Sequence, residues 1–161
     1  MKKQLTDMQE IQFPNAELIP EIVKMLSEGH TVTLRLRGVS MRPFLEDNRD
    51  KALLCKPAHV RTGDPVLAEI SPGHFVLHRI TGISGDDVTL LGDGNLTAEH
   101  CKTDNIVGAV IGFYRKGRTR MDKTDGRKWK IYSRLWTSLY PVRRYLLGIY
   151  RRLWIPLFGP V

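Results

Sequence analysis

A serine hydroxyl is a weak nucleophile until a neighbouring base takes its proton. An imidazole, whose pKa lies near neutrality, suits that work. The chain has one stretch built to display such a serine, Gly38-Val39-Ser40-Met41-Arg42-Pro43. It has one histidine inside an apolar run, His78 in Phe75-Val76-Leu77-His78-Arg79-Ile80. A histidine base also needs an acceptor on its second nitrogen. Asp93, in Leu91-Gly92-Asp93-Gly94-Asn95, is the first candidate. Each residue has a plainer alternative. Gly, Ser and Pro make ordinary turns, a lone His on a strand is commonly structural, and an Asp between glycines commonly caps local backbone.

The elements that must position these residues follow from periodicity. In Thr31-Val32-Thr33-Leu34-Arg35-Leu36-Arg37 the apolar residues alternate with Thr and Arg, which predicts a strand ending at Gly38. Gly38 permits a backbone angle closed to other residues, and Pro43 stiffens the exit. Upstream, Leu18, Ile22, Met25 and Leu26 predict a helix from Asn15 to about Glu28, with Pro20 near its first turn and Gly29 as its stop. Residues 1–12 carry no such pattern and read as poorly ordered. Downstream, short strands are predicted at 51–55, 66–70, 74–81, 88–91 and 106–114. They are punctuated by Gly63-Asp64-Pro65, Pro72-Gly73 and a hairpin between Gly82 and Asp87. The fold class is mainly β, a small coiled barrel or sandwich with one N-terminal helix and a C-terminal amphipathic helical tail. The expected divisions are 1–30, 31–114, a basic linker at 115–127 and the tail at 128–161.

The order Gly-x-Ser-Met-x-Pro, Gly-Asp-x-Val, His-Arg-Ile, Gly-Asp-x-Asn, spread over residues 31–113, resembles the type I signal peptidases. The His-Arg pair resembles the subgroup of archaea, the endoplasmic reticulum and some bacteria, in which His replaces Lys. The resemblance implies a serine endopeptidase that cleaves an extended peptide after small residues, with Ser40 as nucleophile and His78 as general base. It implies that the Ser40 N–H helps to bind the oxyanion. Gly38 stands where many bacterial relatives carry a hydroxyl as a second donor, so that donor is missing here. Met41 would line the pocket for the residue before the cleaved bond. The family also has a second acid downstream of the Gly-Asp-x-Asn motif, matched here by Glu99, and Asp93 then has the alternative role of holding the loop. Arg79 is expected to anchor its strand through a surface contact, with no catalytic part. No cofactor follows from this mechanism.

Charge divides the chain. Residues 115–161 hold 13 Lys/Arg against 2 Asp/Glu, whereas residues 1–114 hold 12 against 15. The basic excess therefore belongs to the tail and points to an acidic partner. In the tail, Trp129, Tyr132, Leu135, Trp136 and Leu139 predict one amphipathic helix. After Pro141, Val142, Tyr145, Leu146, Ile149, Tyr150, Leu153 and Trp154 predict a second. With five arginines between Arg134 and Arg152, these helices are expected to lie on an anionic membrane surface through residues 128–158 rather than cross it. Docking on the β domain or on a second chain is the competing reading, and nucleic acid fits less well. The basic N-terminus has no apolar run behind it, so no signal peptide is expected. These features place the protein peripherally on a membrane, at the cytoplasmic face. Cys55 and Cys101 are too few for a disulfide framework, and Cys55 reads as a small buried hydrophobe. His74 and His78, four residues apart on a strand, stand about 13 Å apart and cannot share an ion, so no metal is expected. The competing function is a catalytically inactive adaptor of peptidase-like fold that uses the basic tail on membrane or nucleic acid.

Overall fold

A computed structural model describes residues 15–160 apart from 117 and 119. Residues 1–12, read above as poorly ordered, lie outside the described residues. Helix α1 (Asn15–Ser27) buries Ile22 and Leu26 against the sheet while Met25 stays partly exposed. Pro20 falls inside the helix, one turn later than expected. Gly29, at φ +89°, ends it in a left-handed conformation that suits glycine.

Eight antiparallel strands follow: β1 (Val32–Arg35), β2 (Lys51–Cys55), β3 (Pro65–Ser71), β4 (His74–Ser84), β5 (Asp87–Leu91), β6 (Glu99–Lys102), β7 (Ile106–Tyr114) and the short β8 (Asp122–Lys123). They form one sheet in the order β1-β2-β7-β3-β4-β5-β6, with β8 also paired to β7. The sheet coils, so that β6 returns against β3. The mainly β architecture is the one the turn and alternation pattern predicts. Strands β6 and β8 are not foreseen by that pattern. Glu99-His100-Cys101-Lys102 has no apolar alternation, and β8 has only two residues.

Two apolar clusters hold the sheet. One gathers Ile22, Leu26, Leu36, Met41, Leu45, Ala52, Leu54, Leu67, Val110, Phe113 and Trp129 under α1 and the 38–50 loop. The other gathers Val66, Ala68, Ile80, Val88, Leu90 and Ile106 between β3, β4, β5 and β7. Cys55 is half-buried rather than inside either cluster. The 38–50 loop is closed by its own polar groups. Asp47 Oδ1 accepts from the Gly38 N–H at 2.7 Å. Asp50, fully buried, accepts from the backbone of Glu46 and Lys116 and from Arg49. Burial pushes the Asp50 carboxyl up, but those donors outweigh it and hold it below the usual carboxylate range.

The C-terminal helices pack on this domain. Helix α2 (Arg127–Ser138) inserts Trp129 between Phe44 and Phe113, with ring centroids 5.1 and 5.0 Å away. Aromatic pairs of this kind add roughly 0.5–1.5 kcal/mol each beyond the area they bury, enough to seat a short helix. A 3-10 turn (Tyr140–Val142) contains Pro141, and α3 (Arg143–Ile149) follows. The helix then widens at Tyr150–Trp154 and finishes with α4 (Ile155–Phe158). No described helix is long and apolar enough to cross a membrane.

Candidate active site

Strand β1 feeds the chain into Gly38, whose φ of +87° only glycine adopts easily. The turn that follows leaves Ser40 half-buried and Met41 buried, with the Arg42–Pro43 bond cis. Arg42 closes the turn with a bidentate ion pair to Glu46, one helical turn on, which raises the guanidinium pKa.

The Gly92–Asn95 loop meets this turn backbone to backbone. The Gly94 N–H donates to the Ser40 carbonyl at 2.7 Å. A side chain on Gly92 would put its first carbon 2.5 Å from the Ser40 carbonyl oxygen and 3.0 Å from His78 Nε2. One on Gly94 would come within 2.7 Å of the Val39 carbonyl oxygen. Both glycines are therefore required by close approach. The structure thus brings together the Ser40 turn, His78 and the Gly-Asp-Gly-Asn loop, which the sequence spreads over more than fifty residues.

His78 is 3% exposed on β4, opposite Val66 of β3. Its Nδ1 stands 2.7 Å from Glu99 Oε2, off the ideal hydrogen-bond line, and neither atom has another polar partner among the described residues. Burial lowers the His78 pKa below the usual imidazole value, and the Glu99 carboxylate partly opposes that shift. That direction favours the neutral ring, the state a base requires. Its Nε2 faces the gap beside Gly92 and the Ser40 main chain. No hydrogen bond joins Ser40 Oγ to Nε2, and none within the described residues occupies the Ser40 N–H.

Asp93, the first choice from sequence as the acceptor for His78, pairs instead with Arg79, and the carboxylate beside His78 Nδ1 belongs to Glu99, on the unforeseen strand β6. Asp93 is 1% exposed and forms a two-pronged ion pair with Arg79: Nε to Oδ1 at 2.9 Å and Nη2 to Oδ2 at 2.7 Å. Arg79 is likewise 1% exposed, so its expected surface contact is also corrected. Successive strand residues point to opposite faces, so His78 and Arg79 serve two different environments. Arg79 Nη1 donates to Ser133 Oγ and to the Gly63 carbonyl, and its guanidinium stacks 4.7 Å from the Trp129 ring. The carboxylate of Asp93 keeps the buried Arg79 charged, raising its pKa against the pull of burial.

Residues assigned no part in the site from sequence complete the loop's support. Tyr132 Oη donates to Asp93 Oδ2 at 3.0 Å, and Trp136 Nε1 to the Asp93 carbonyl at 3.0 Å. Burial beside that carboxylate raises the Tyr132 pKa far above its ordinary value, so the phenol stays a donor. Tyr140 Oη donates to the Leu96 carbonyl and Arg151 Nη2 to the Gly94 carbonyl. Their aromatic character was visible in the tail, but periodicity alone did not say which partner they would find.

Beside Ser40 lies a cavity of about 40 Å³, lined by Leu36, Arg37, Gly38, Met41, Leu45, Glu46 and Leu77. Met41, itself buried, is among the residues that line it. No protein-family model matches the chain, and no curated protein matches it either.

Proposed function

We propose that this protein is a serine endopeptidase of the type I signal peptidase kind, with Ser40 as nucleophile, His78 as general base and Glu99 as the acid that orients it. The observation that carries the reading is the convergence at His78. A buried imidazole, its pKa lowered by burial, has a carboxylate beside one nitrogen, and its other nitrogen faces the turn that bears Ser40.

In the reaction, Nε2 takes the proton of Ser40 Oγ as the oxygen attacks the peptide carbonyl carbon. The carbonyl π electrons move to oxygen, which the free Ser40 N–H stabilises. The intermediate collapses with the C–N bond breaking, and Nε2 returns its proton to the leaving amine. A water then attacks the acyl-enzyme carbonyl carbon, giving a proton to Nε2, and the acyl–Oγ bond breaks as Nε2 returns that proton to Ser40 Oγ, releasing the new carboxylate product. Glu99 stabilises the imidazolium formed in each half. The cavity beside Ser40 has room for about one small side chain, which supports cleavage after small residues. Strand β1 is a sheet edge leading directly to Gly38, so an extended substrate can add beside it.

A fluorophosphonate serine probe tests this reading. The expected result is one label on Ser40 of the full chain, lost in Ser40→Ala and in heat-denatured protein. Folded protein that stays unlabelled while a control hydrolase reacts would overturn the reading in favour of an inactive adaptor.

A further inference from the structure

The C-terminal helix beyond Pro141 uses one face on the protein and leaves a second apolar face in solvent. Arg143, Leu147 and Tyr150 are buried. Tyr145, Ile149, Leu153 and Leu157 recur every fourth residue on another side, 64%, 56%, 58% and 71% exposed. Trp154 and Phe158, rings 4.8 Å apart, extend that exposed patch. Ten of the sixteen large hydrophobic residues exposed on the described protein lie between Ile131 and Phe158, so they are concentrated here and not scattered. A helix apolar on both sides needs a second neighbour.

We infer that this outer face docks on an anionic lipid surface. Charge selects that occupant. No acidic residue follows Asp125, and Arg134, Arg144 and Arg152 are exposed around the apolar row. Arg143, counted with them from sequence, is not available. Its guanidinium is buried between the Trp136 and Tyr140 rings and donates to the Trp136 carbonyl. A two-fold contact with a second copy would set these arginines against their own kind with no acid on the face to answer them. Lipid head groups do answer them, and aliphatic side chains enter the acyl boundary while arginines reach outward. The same helices grip the Gly92–Leu96 loop through Tyr132, Trp136, Tyr140 and Arg151. On the peptidase reading above, docking would therefore hold the site roughly one helix diameter, about 10–12 Å, from the head groups.

The test is sedimentation of the full chain with phosphatidylcholine vesicles, with and without phosphatidylglycerol. Binding is expected only to the anionic vesicles, weakened by salt. The double variant Leu153→Glu, Leu157→Glu should fold normally and partition at least about tenfold less, as loss of two inserted leucines implies. The inference is overturned if the chain stays in solution, or if it binds neutral vesicles equally well with no salt response. It is overturned too if the lipid-free chain is a dimer that the double variant dissociates and no vesicle binding occurs. The Ser40→Ala chain should bind like the parent, and vesicle binding by a parent chain that the probe fails to label would end the peptidase reading and leave the docking surface standing.

Discussion

Strand β4 presents two neighbouring residues to opposite sides of the sheet, and the two sides are built for opposite purposes. Around Arg79 every charge is answered: both it and Asp93 are 1% exposed, and Gly63, Ser133, Tyr132 and Trp136 take up further hydrogen-bonding groups of the pair. Around His78 the polar groups are left available. Glu99 has a side chain 31% exposed, the ring's Nε2 faces a gap, and the Ser40 hydroxyl is unpaired among the described residues. A fully satisfied ion pair holds geometry but has no proton to give. A partly satisfied histidine has one to move. On the proposed peptidase reading, the acid that serves chemistry is thus the part-exposed Glu99, while the fully paired Asp93 holds the loop.

The sharpest break of this contrast is His78→Ala. Peptide cleavage should fall by about 10⁴-fold or more, with the thermal midpoint close to the parent's. Cleavage near the parent rate would remove His78 from the chemistry.

Asp93→Asn should act on the other side of the strand. It leaves Arg79 buried without a counter-charge, and breaking such a pair costs about 3–5 kcal/mol. Urea unfolding should show that loss, with activity falling because the loop loosens. If stability is unchanged while turnover collapses, Asp93 belongs to the reactive side after all.

Glu99→Gln should be the mildest for the fold and the most informative for the chemistry. Turnover is expected to drop about 10²-fold, at the lower end of general acid–base effects, with little change in unfolding. The pH profile carries a sign. Burial already lowers the His78 pKa, and Glu99 works against that shift. The acid limb of the parent's kcat/KM should therefore fall below the usual imidazole value. Removing the carboxylate should move it to still lower pH, because the imidazolium loses its nearby anion. A limb that moves upward or stays fixed would show that Glu99 does not face the base during turnover.

Much of the fold was legible. Strands β2 and β7 and helix α1 follow from alternation and helical spacing, and the four Gly- and His-containing motifs do converge. Glu99 was harder. Its strand, β6, is a polar edge with no apolar rhythm, so nothing local marks it as a strand, and only its pairing with β5 brings it opposite His78. Arg79 was misread because an arginine is normally exposed. Its burial depends on three partners distant in sequence, Gly63, Asp93 and Ser133. The tail shows the same limit. Helical spacing identified apolar stripes, but it could not tell that Trp129 and Tyr132 face the protein while Ile149 and Leu153 face outward.

Gly92 and Gly94 have a further consequence, one of entropy. Where the two loops meet, the spacing is set by main-chain atoms in contact, because neither Gly92 nor Gly94 brings a side chain of its own. Main chains held by neighbouring hydrogen bonds have no rotamers to exchange. At its narrowest point the site therefore has nothing left to freeze when a peptide arrives, and the ordering penalty that accompanies most binding falls on the substrate rather than on the protein.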